Sequence, residues 1–202
     1  GLQLRYARRM HKAARRASFI VSASSESQRS FQKYFGITSP LINETGCYPH
    51  STGWTPTPTR KETFDLLWVG KMDFRKQLSL ALQTIAKLNH PNIRLHIVGG
   101  GNALSYQQEA EMLKVNERCI WYGAVSHEEV QRLMKEADVF FFTSVAEGTP
   151  HVVLEAIGNS LPIVCFDVCG QGDSVNEKVG IKIPLSNPQK SVDDFAKEIA
   201  YL

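Results

Sequence analysis

Glu147 and Glu155 stand eight positions apart in EGTPHVVLEA (147–156), and the residues between them decide what two carboxylates could do there. The segment from Pro150 to Ser160 has a helical pattern. Thr149 is placed as its N-cap and Pro150 as its first helical residue, where proline is favoured. The unpaired N–H groups and positive dipole end of such a helix make a ready site for a phosphate. Glu147 precedes the helix. Glu155 lies about five residues into it, roughly 7 Å along the axis at ~1.5 Å per residue. One carboxylate can then sit near the reacting end of a phosphate-linked ligand while the other reaches a ribose diol. The plain alternative is a capped helix with two solvated glutamates.

A cationic counterpart lies upstream, where Lys71, Arg75 and Lys76 follow the apolar run FDLLWVG (64–70). Three cations at the C-terminal end of a strand could neutralise a pyrophosphate, and a solvated basic loop is the alternative. The triple glycine Gly99, Gly100, Gly101 invites a dinucleotide reading. Leu104 falls where the third glycine of that fingerprint belongs, and no acidic ribose partner follows at its distance. The loop therefore reads as a tight turn that lets backbone approach a ligand. His127, His151 and Asp173 are single polar residues, no pair of them has metal-ligand spacing, and no Ser/His/Asp or Cys/His arrangement stands out.

These residues need elements to hold them. DVFFFT (138–143) reads as a buried parallel strand feeding the Pro150 helix, and open α/β sheets bind ligands at such strand-to-helix junctions. Further strands are expected at Phe64–Gly70, Ile93–Gly99, Arg118–Tyr122, Ile163–Asp167 and Ile181–Ile183. Helices are expected from Leu78 to about Asn89, Leu104 to Val115, after the capping box of Ser126 and Glu129 to about Ala137, and from Val192 to Leu202. Alternating strands and helices, with several strands continuously apolar, predict an α/β, Rossmann-like parallel sheet covered by helices on both faces. Upstream, Leu2–Ala17 reads as a helix with Leu2, Tyr6, Met10, Ala13 and Ala17 on one face. Arg5, Arg8, Arg9, Lys12, Arg15 and Arg16 crowd the remainder. Such a helix can lie on an anionic membrane surface, or be an ordinary solvated one. Phe19–Ala23 reads as a short buried strand, Ser25 as the cap of a helix from Glu26 to Phe35 stopped by Gly36, and Leu41–Thr45 as one more strand. Ser51–Thr59, rich in Pro and Thr, is the best linker and divides residues 1–50 from 51–202.

Composition narrows the class. The 202 residues suffice for one full domain and a remainder, and the net charge of +3 does not argue for nucleic acid. No run approaches the ~20 apolar residues of a membrane span. The chain opens on Gly1 without an initiator Met or signal-peptide pattern, as an excised piece would. Cys47, Cys119, Cys165 and Cys169 have neither zinc-ligand spacing nor the density of a disulfide scaffold, so reduced, buried, cytosolic thiols are expected.

From about Phe19 onward the chain resembles the retaining glycosyltransferases of the GT-B fold, family 4, often called group 1. Four features carry the resemblance: Gly70, Lys71 and Lys76 in a Gly-Arg-x4-Lys pattern; the strand and loop Ile97–Gly101; IWYGAVSHEEV (120–130); and the Glu-x7-Glu pair, Glu147 and Glu155. The last is the specific one. The resemblance implies that Lys71 and Lys76 hold the donor pyrophosphate and stabilise the departing nucleoside diphosphate. It places Gly148, Thr149, Pro150, His151 and Val152 against the phosphates or sugar, and Glu155 on the ribose hydroxyls. Glu147 would contact the transferred sugar and orient or stabilise an oxocarbenium-like centre, and Val125, Ser126 and His127 would edge the nucleobase. Lysines and a helix dipole would replace a metal, so no cofactor is expected. The chain departs from the pattern in having Lys71 for the usual arginine and Gln77 where a glycine commonly follows the lysine. CGQGD (169–173) stands for a double glycine and glutamate, with Asp173 in the acidic role. The resemblance further implies the donor-binding, C-terminal half of a GT-B fold, with the end of an acceptor domain in residues 1–50 and the C-terminal crossing helix short or absent. Such a fragment would bind a nucleotide-sugar but transfer nothing alone. The acceptor class implied is a sugar, polysaccharide or lipid-linked sugar, and the location cytoplasmic, with peripheral contact at the inner face of the membrane through residues 2–17. The alternatives are a non-hydrolysing nucleotide-sugar epimerase and a non-catalytic nucleotide-binding module.

Overall fold

Six short strands pair side by side in one direction, and the most apolar of them, VFFF (139–142) and IVCF (163–166), are buried along their whole length because neither face can be left in water. A computed structural model describes residues 7–42, 46 and 62–202. The strands are β1 (Phe64–Val69), β2 (Ile93–Val98), β3 (Cys119–Gly123), β4 (Val139–Phe142), β5 (Ile163–Phe166) and β6 (Gly180–Ile183). They form one parallel sheet in the order β3-β2-β1-β4-β5-β6, with register Leu66↔Leu95 and Leu66↔Val139 at its centre. This is the Rossmann-like order, and its direction of winding reverses between β1 and β4.

Period-2 alternation sends neighbours in a strand to opposite faces. Leu66, Trp68, Phe141 and Phe166 face α3 (Leu78–Leu88), α4 (Ala103–Met112) and α8 (Pro188–Ile199), where Leu82, Ile85, Ala110 and Phe195 close the layer. Leu67, Phe140, Phe142 and Cys165 face α5 (His127–Glu136) and α6 (His151–Gly158), meeting Leu133, Met134, Val153 and Ala156. Phe195 packs edge-on to both Phe141 and Phe166, with ring centroids 5.0 and 4.8 Å apart. The parallel sheet with helices on both faces is as the sequence predicts.

Upstream lie α1 (Arg8–Arg16) and α2 (Ser25–Phe35). Gly36 ends α2 in a left-handed conformation (φ 69°), but the cap is Ser24 rather than Ser25: the Ser24 hydroxyl accepts from Ser27 N. Phe19–Ala23 is not a buried strand. Among the described residues its backbone meets one segment only, through Ser22 N to Pro40 O and Ile42 N to Ser22 O, and Phe19 is 72% exposed. Without further strands beside it, apolar composition alone builds no sheet. The terminal helix begins earlier than Val192, at Pro188, because Asn187 caps it by accepting from Lys190 N. A short helix the sequence reading lacks, α7 (Cys169–Ser174), follows β5. Leu2, Arg5 and Tyr6, residues 43–45, Cys47 and the linker at 51–59 lie outside the described residues.

Candidate functional site

The winding reverses between β1 and β4, and the loops leaving these two strands meet at the C-terminal edge of the sheet, where open α/β folds have their ligand crevice. The β1 loop starts at Gly70 and the exposed Lys71, then makes one 3-10 turn, Phe74–Lys76. Asp73 shapes that turn, its carboxylate accepting from the Arg75 and Lys76 amides. The β4 loop is tied to it by Val145 N to Arg75 O at 2.9 Å and by Thr143, whose buried hydroxyl donates to Lys76 O at 2.7 Å while accepting from Trp68 Nε1 at 3.0 Å.

These ties bring together two residues 71 positions apart. Lys76 Nζ lies 2.6 Å from Glu147 Oε1, and each side chain is only 13% exposed. The Ser144 hydroxyl donates to the same Glu147 oxygen at 2.5 Å, and the Lys76 ammonium sits 5.0 Å from the centre of the Phe142 ring. Gln171 of α7 holds the Ser144 carbonyl through its side-chain amide at 2.9 Å. Arg75 is directed elsewhere, to Asp73 at 3.3 Å and the Ala146 carbonyl at 3.4 Å.

The floor of the crevice is main chain against main chain. A Cβ on Gly99 would collide with the Gly70 carbonyl, and one on Gly170 with the Gly148 carbonyl. The triple-glycine loop is thus a close approach of backbones within the fold, and Gly148 is held from behind by α7.

Helix α6 opens onto this floor, one residue later than expected. Pro150, not Thr149, is the half-in residue: its carbonyl accepts from Val153 N at 2.9 Å and Leu154 N at 3.2 Å. Proline carries no side-chain oxygen, so no side chain caps α6, and the amides of His151 and Val152 fall among the first-turn donors that a helix leaves without intrahelical partners. Thr149 is buried beside them. Further along, Glu155 faces His127 of α5, with Oε1 3.9 Å from Nδ1 and the side chains 28% and 65% exposed. Ser126 is occupied as the α5 N-cap, accepting from Glu129 N, and Val125 is partly buried against the layer under α5 and α6.

Asp173 fastens α2 to this edge. Its two oxygens accept from Ser25 N at 2.6 Å and Ser25 Oγ at 2.7 Å. Nearby, the Cys169 thiol donates to Glu26 Oε2 at 3.1 Å. Burial pushes this thiol up to about 11, helped by Glu26, while a backbone hydrogen bond from Glu147 works the other way. Ser144, Gln171 and Glu26 went unnoticed in the sequence. Ser144 stands three residues before Glu147, a short-range spacing that could have marked it, whereas the contacts of Gln171 and Glu26 cross the fold. Among the described residues no group of three or more His, Cys, Asp or Glu side chains could hold a metal ion.

The family model described as glycosyl transferases group 1 matches residues 56–202. The lipopolysaccharide 1,6-galactosyltransferase of Salmonella typhimurium is 30% identical over 145 residues, covering 69% of this chain and 40% of that protein. The solved apo form of the lipopolysaccharide outer core galactosyltransferase WaaB superimposes with a TM-score of 0.75 at 25% identity, over 91% of this chain and 52% of that one. Anabaena Alr3699/HepE, solved with UDP-glucose, shares the fold at a TM-score of 0.74 and 19% identity, over 95% of this chain and 57% of its own. The chain therefore spans about two fifths of the length of the Salmonella relative.

Proposed function

The chain belongs to the glycosyl transferases group 1, and on that premise we propose that the protein transfers a sugar from a nucleotide-sugar to an acceptor with retention of anomeric configuration. Residues 51–202 supply the donor site, and the segment before them is the end of the acceptor-binding part. The observation that carries this reading is the Lys76–Glu147 pair, set at the β1/β4 reversal beside the uncapped start of α6 and one helical stretch from Glu155.

In this reading the diphosphate lies over the Gly70–Gly99 floor, between Lys71 and Lys76 on one side and the first amides of α6 on the other. The lysines and the helix dipole lower the free energy of the departing diphosphate as negative charge builds on it. Glu147, fixed by Lys76 and Ser144, faces the transferred sugar and stabilises positive charge at the anomeric carbon. Glu155 takes the ribose hydroxyls in exchange for its contact with His127, and Val125–His127 edge the base. The acceptor is a sugar, polysaccharide or lipid-linked sugar. The exposed cations Arg8, Arg9, Lys12, Arg15 and Arg16 of α1 give the protein a face for an anionic membrane surface.

Calorimetric titration with UDP and GDP in the presence of EDTA tests the donor site. Binding without divalent metal is expected; affinity that vanishes in EDTA, or no binding of either nucleotide, overturns the assignment.

A further inference from the structure

On the face of the sheet that α5 covers, a pocket of about 250 Å³ lies beside the C-terminal end of that helix. It is remote from the proposed donor site. Asp65, in its lining, precedes Gly70 by five residues, about 16 Å back along the strand at ~3.3 Å per residue. Leu67, Leu133 and Ala137 make the wall apolar, and Asp65, His96 and Glu136 are its polar members.

The polar members are held in place by the fold. His96 Nε2 lies 3.3 Å from Asp65 Oδ1, and the two side chains are 17% and 15% exposed. The other ring nitrogen is 2.9 Å from the Tyr122 hydroxyl, and the His96 and Tyr122 rings stack with centroids 5.8 Å apart. Glu136, in the last turn of α5, is gripped by Arg132, which also holds Glu129. The local field is negative. Burial raises the Tyr122 phenol above its ordinary value; among the charges acting on it, Arg132 opposes the shift while Glu136, Glu129 and Asp65 add to it. Arg94 and Lys135, the other cations on these elements, are exposed and keep their heads in water. The carbonyl end of α5 adds partial negative charge at the same place. Two carboxylates thus stand against an apolar wall. That combination disfavours an anion, and among the described residues no group of three or more His, Cys, Asp or Glu could hold a metal ion.

We propose that this pocket binds a small primary alkylammonium, whose charged head donates to Asp65 and Glu136 while its carbon chain lies along Leu67, Leu133 and Ala137. An ammonium carries three N–H donors and no acceptor, and a carboxylate offers about four acceptor positions, so Asp65 and Glu136 can receive it alongside the partners they already have. The site is independent of the donor assignment, since it shares no residue with it.

Calorimetry at neutral pH with n-pentylamine, methylamine and 1-pentanol tests it, run on the chain and on its Glu136→Gln, Asp65→Asn and Ala137→Leu variants. Both amines are protonated there, and the alcohol has the shape of the longer one without its charge. n-Pentylammonium should bind at least about ten times tighter than either of the others, since it alone combines buried methylenes with hydrogen bonds to charged acceptors. Glu136→Gln and Asp65→Asn should each weaken it roughly fivefold or more. Ala137→Leu, which fills part of the wall, should shrink its advantage over methylammonium. Circular dichroism and thermal melting of each variant show that it folds. Glu136 is 57% exposed at a helix end, so its variant decides the matter alone should Asp65→Asn not fold. Absence of saturable pentylammonium binding, equal binding of methylammonium or of 1-pentanol, or full affinity in Glu136→Gln overturns the proposal.

Discussion

Lys76→Met removes the charge that faces Glu147 but keeps an unbranched, polarisable side chain over the Phe142 ring. At 2.6 Å and an effective dielectric of ~20, the gross attraction is about 6 kcal/mol, and desolvating two ions takes several of these back. Stranding one partner of a well-buried pair costs about 3–5 kcal/mol. Here each side chain keeps 13% exposure, and the Ser144 hydroxyl still donates to the abandoned oxygen. The expected loss is therefore smaller, about 2–3 kcal/mol, close to a hydrogen bond to a charged group. Glu147→Gln in the same chain removes the stranded charge, so the double variant should regain at least ~1 kcal/mol relative to Lys76→Met. Urea denaturation followed by circular dichroism reads this directly. With a slope of about 2 kcal/mol/M the midpoint should fall by roughly 1 M in the single variant and partly recover in the double. If the two substitutions simply add, with coupling below ~0.5 kcal/mol, the pair is not what fastens the β1 and β4 loops together.

Glu155→Gln should weaken nucleoside diphosphate binding about tenfold or more, since a hydrogen bond to a charged acceptor contributes roughly 1.5–3 kcal/mol, while Glu147→Gln leaves it within twofold. Equal losses in calorimetry would contradict the division of roles between the two glutamates. Gln77 adopts φ 52° at the start of α3, where Gly removes about 1–2 kcal/mol of left-handed strain and adds roughly 0.5–1 kcal/mol of chain entropy cost. Gln77→Gly should thus raise the melting temperature slightly; a clear drop would mean that the Gln77 side-chain bond to the Phe74 carbonyl outweighs the strain. Burial pushes Cys165 up to about 12 and Cys119 up to about 11. Above about pH 8.5–9 the unfolded chain sheds these protons while the folded one keeps them, so stability falls with rising pH by about 1.4 kcal/mol per unit per thiol. Urea midpoints at pH 8, 9 and 10 should fall less steeply for Cys165→Ala than for the unaltered chain; identical slopes would refute the assignment.

The sheet was legible because its central strands are near-continuous apolar runs between glycine- or polar-rich turns: LLW and VFFF are buried on both faces. Helices with a marked cap followed, Ser126 before α5 above all. Local signals misled by one residue where two candidates stand side by side. Ser24 and Ser25 both suit a cap, and at Thr149–Pro150 the proline takes the half-in place itself. α7 escaped because CGQGDS has neither length nor apolar period, and it forms by packing Gly170 onto the Gly148 carbonyl. Phe19–Ala23 was over-read for the opposite reason: among the described residues its strand-like composition finds only the short bridge of Ser22 to Leu41. Within the site, the glutamates and lysines were legible as types at spacings. That Lys76 and Glu147 touch, that Ser144 joins them and that Asp173 instead grips Ser25 are consequences of tertiary folding, which no local pattern encodes.

The backbone-built floor also decides where this scaffold can change. At Gly99 against Gly70 and at Gly170 against Gly148, no side chain can be added without displacing main chain. Any variant that still folds therefore inherits the same main-chain packing at these two points. Divergence is channelled outward, to positions such as His127 and Glu155, where side chains reach open solvent. A library aimed at altered preference should vary those rims and leave Gly99 and Gly170 alone.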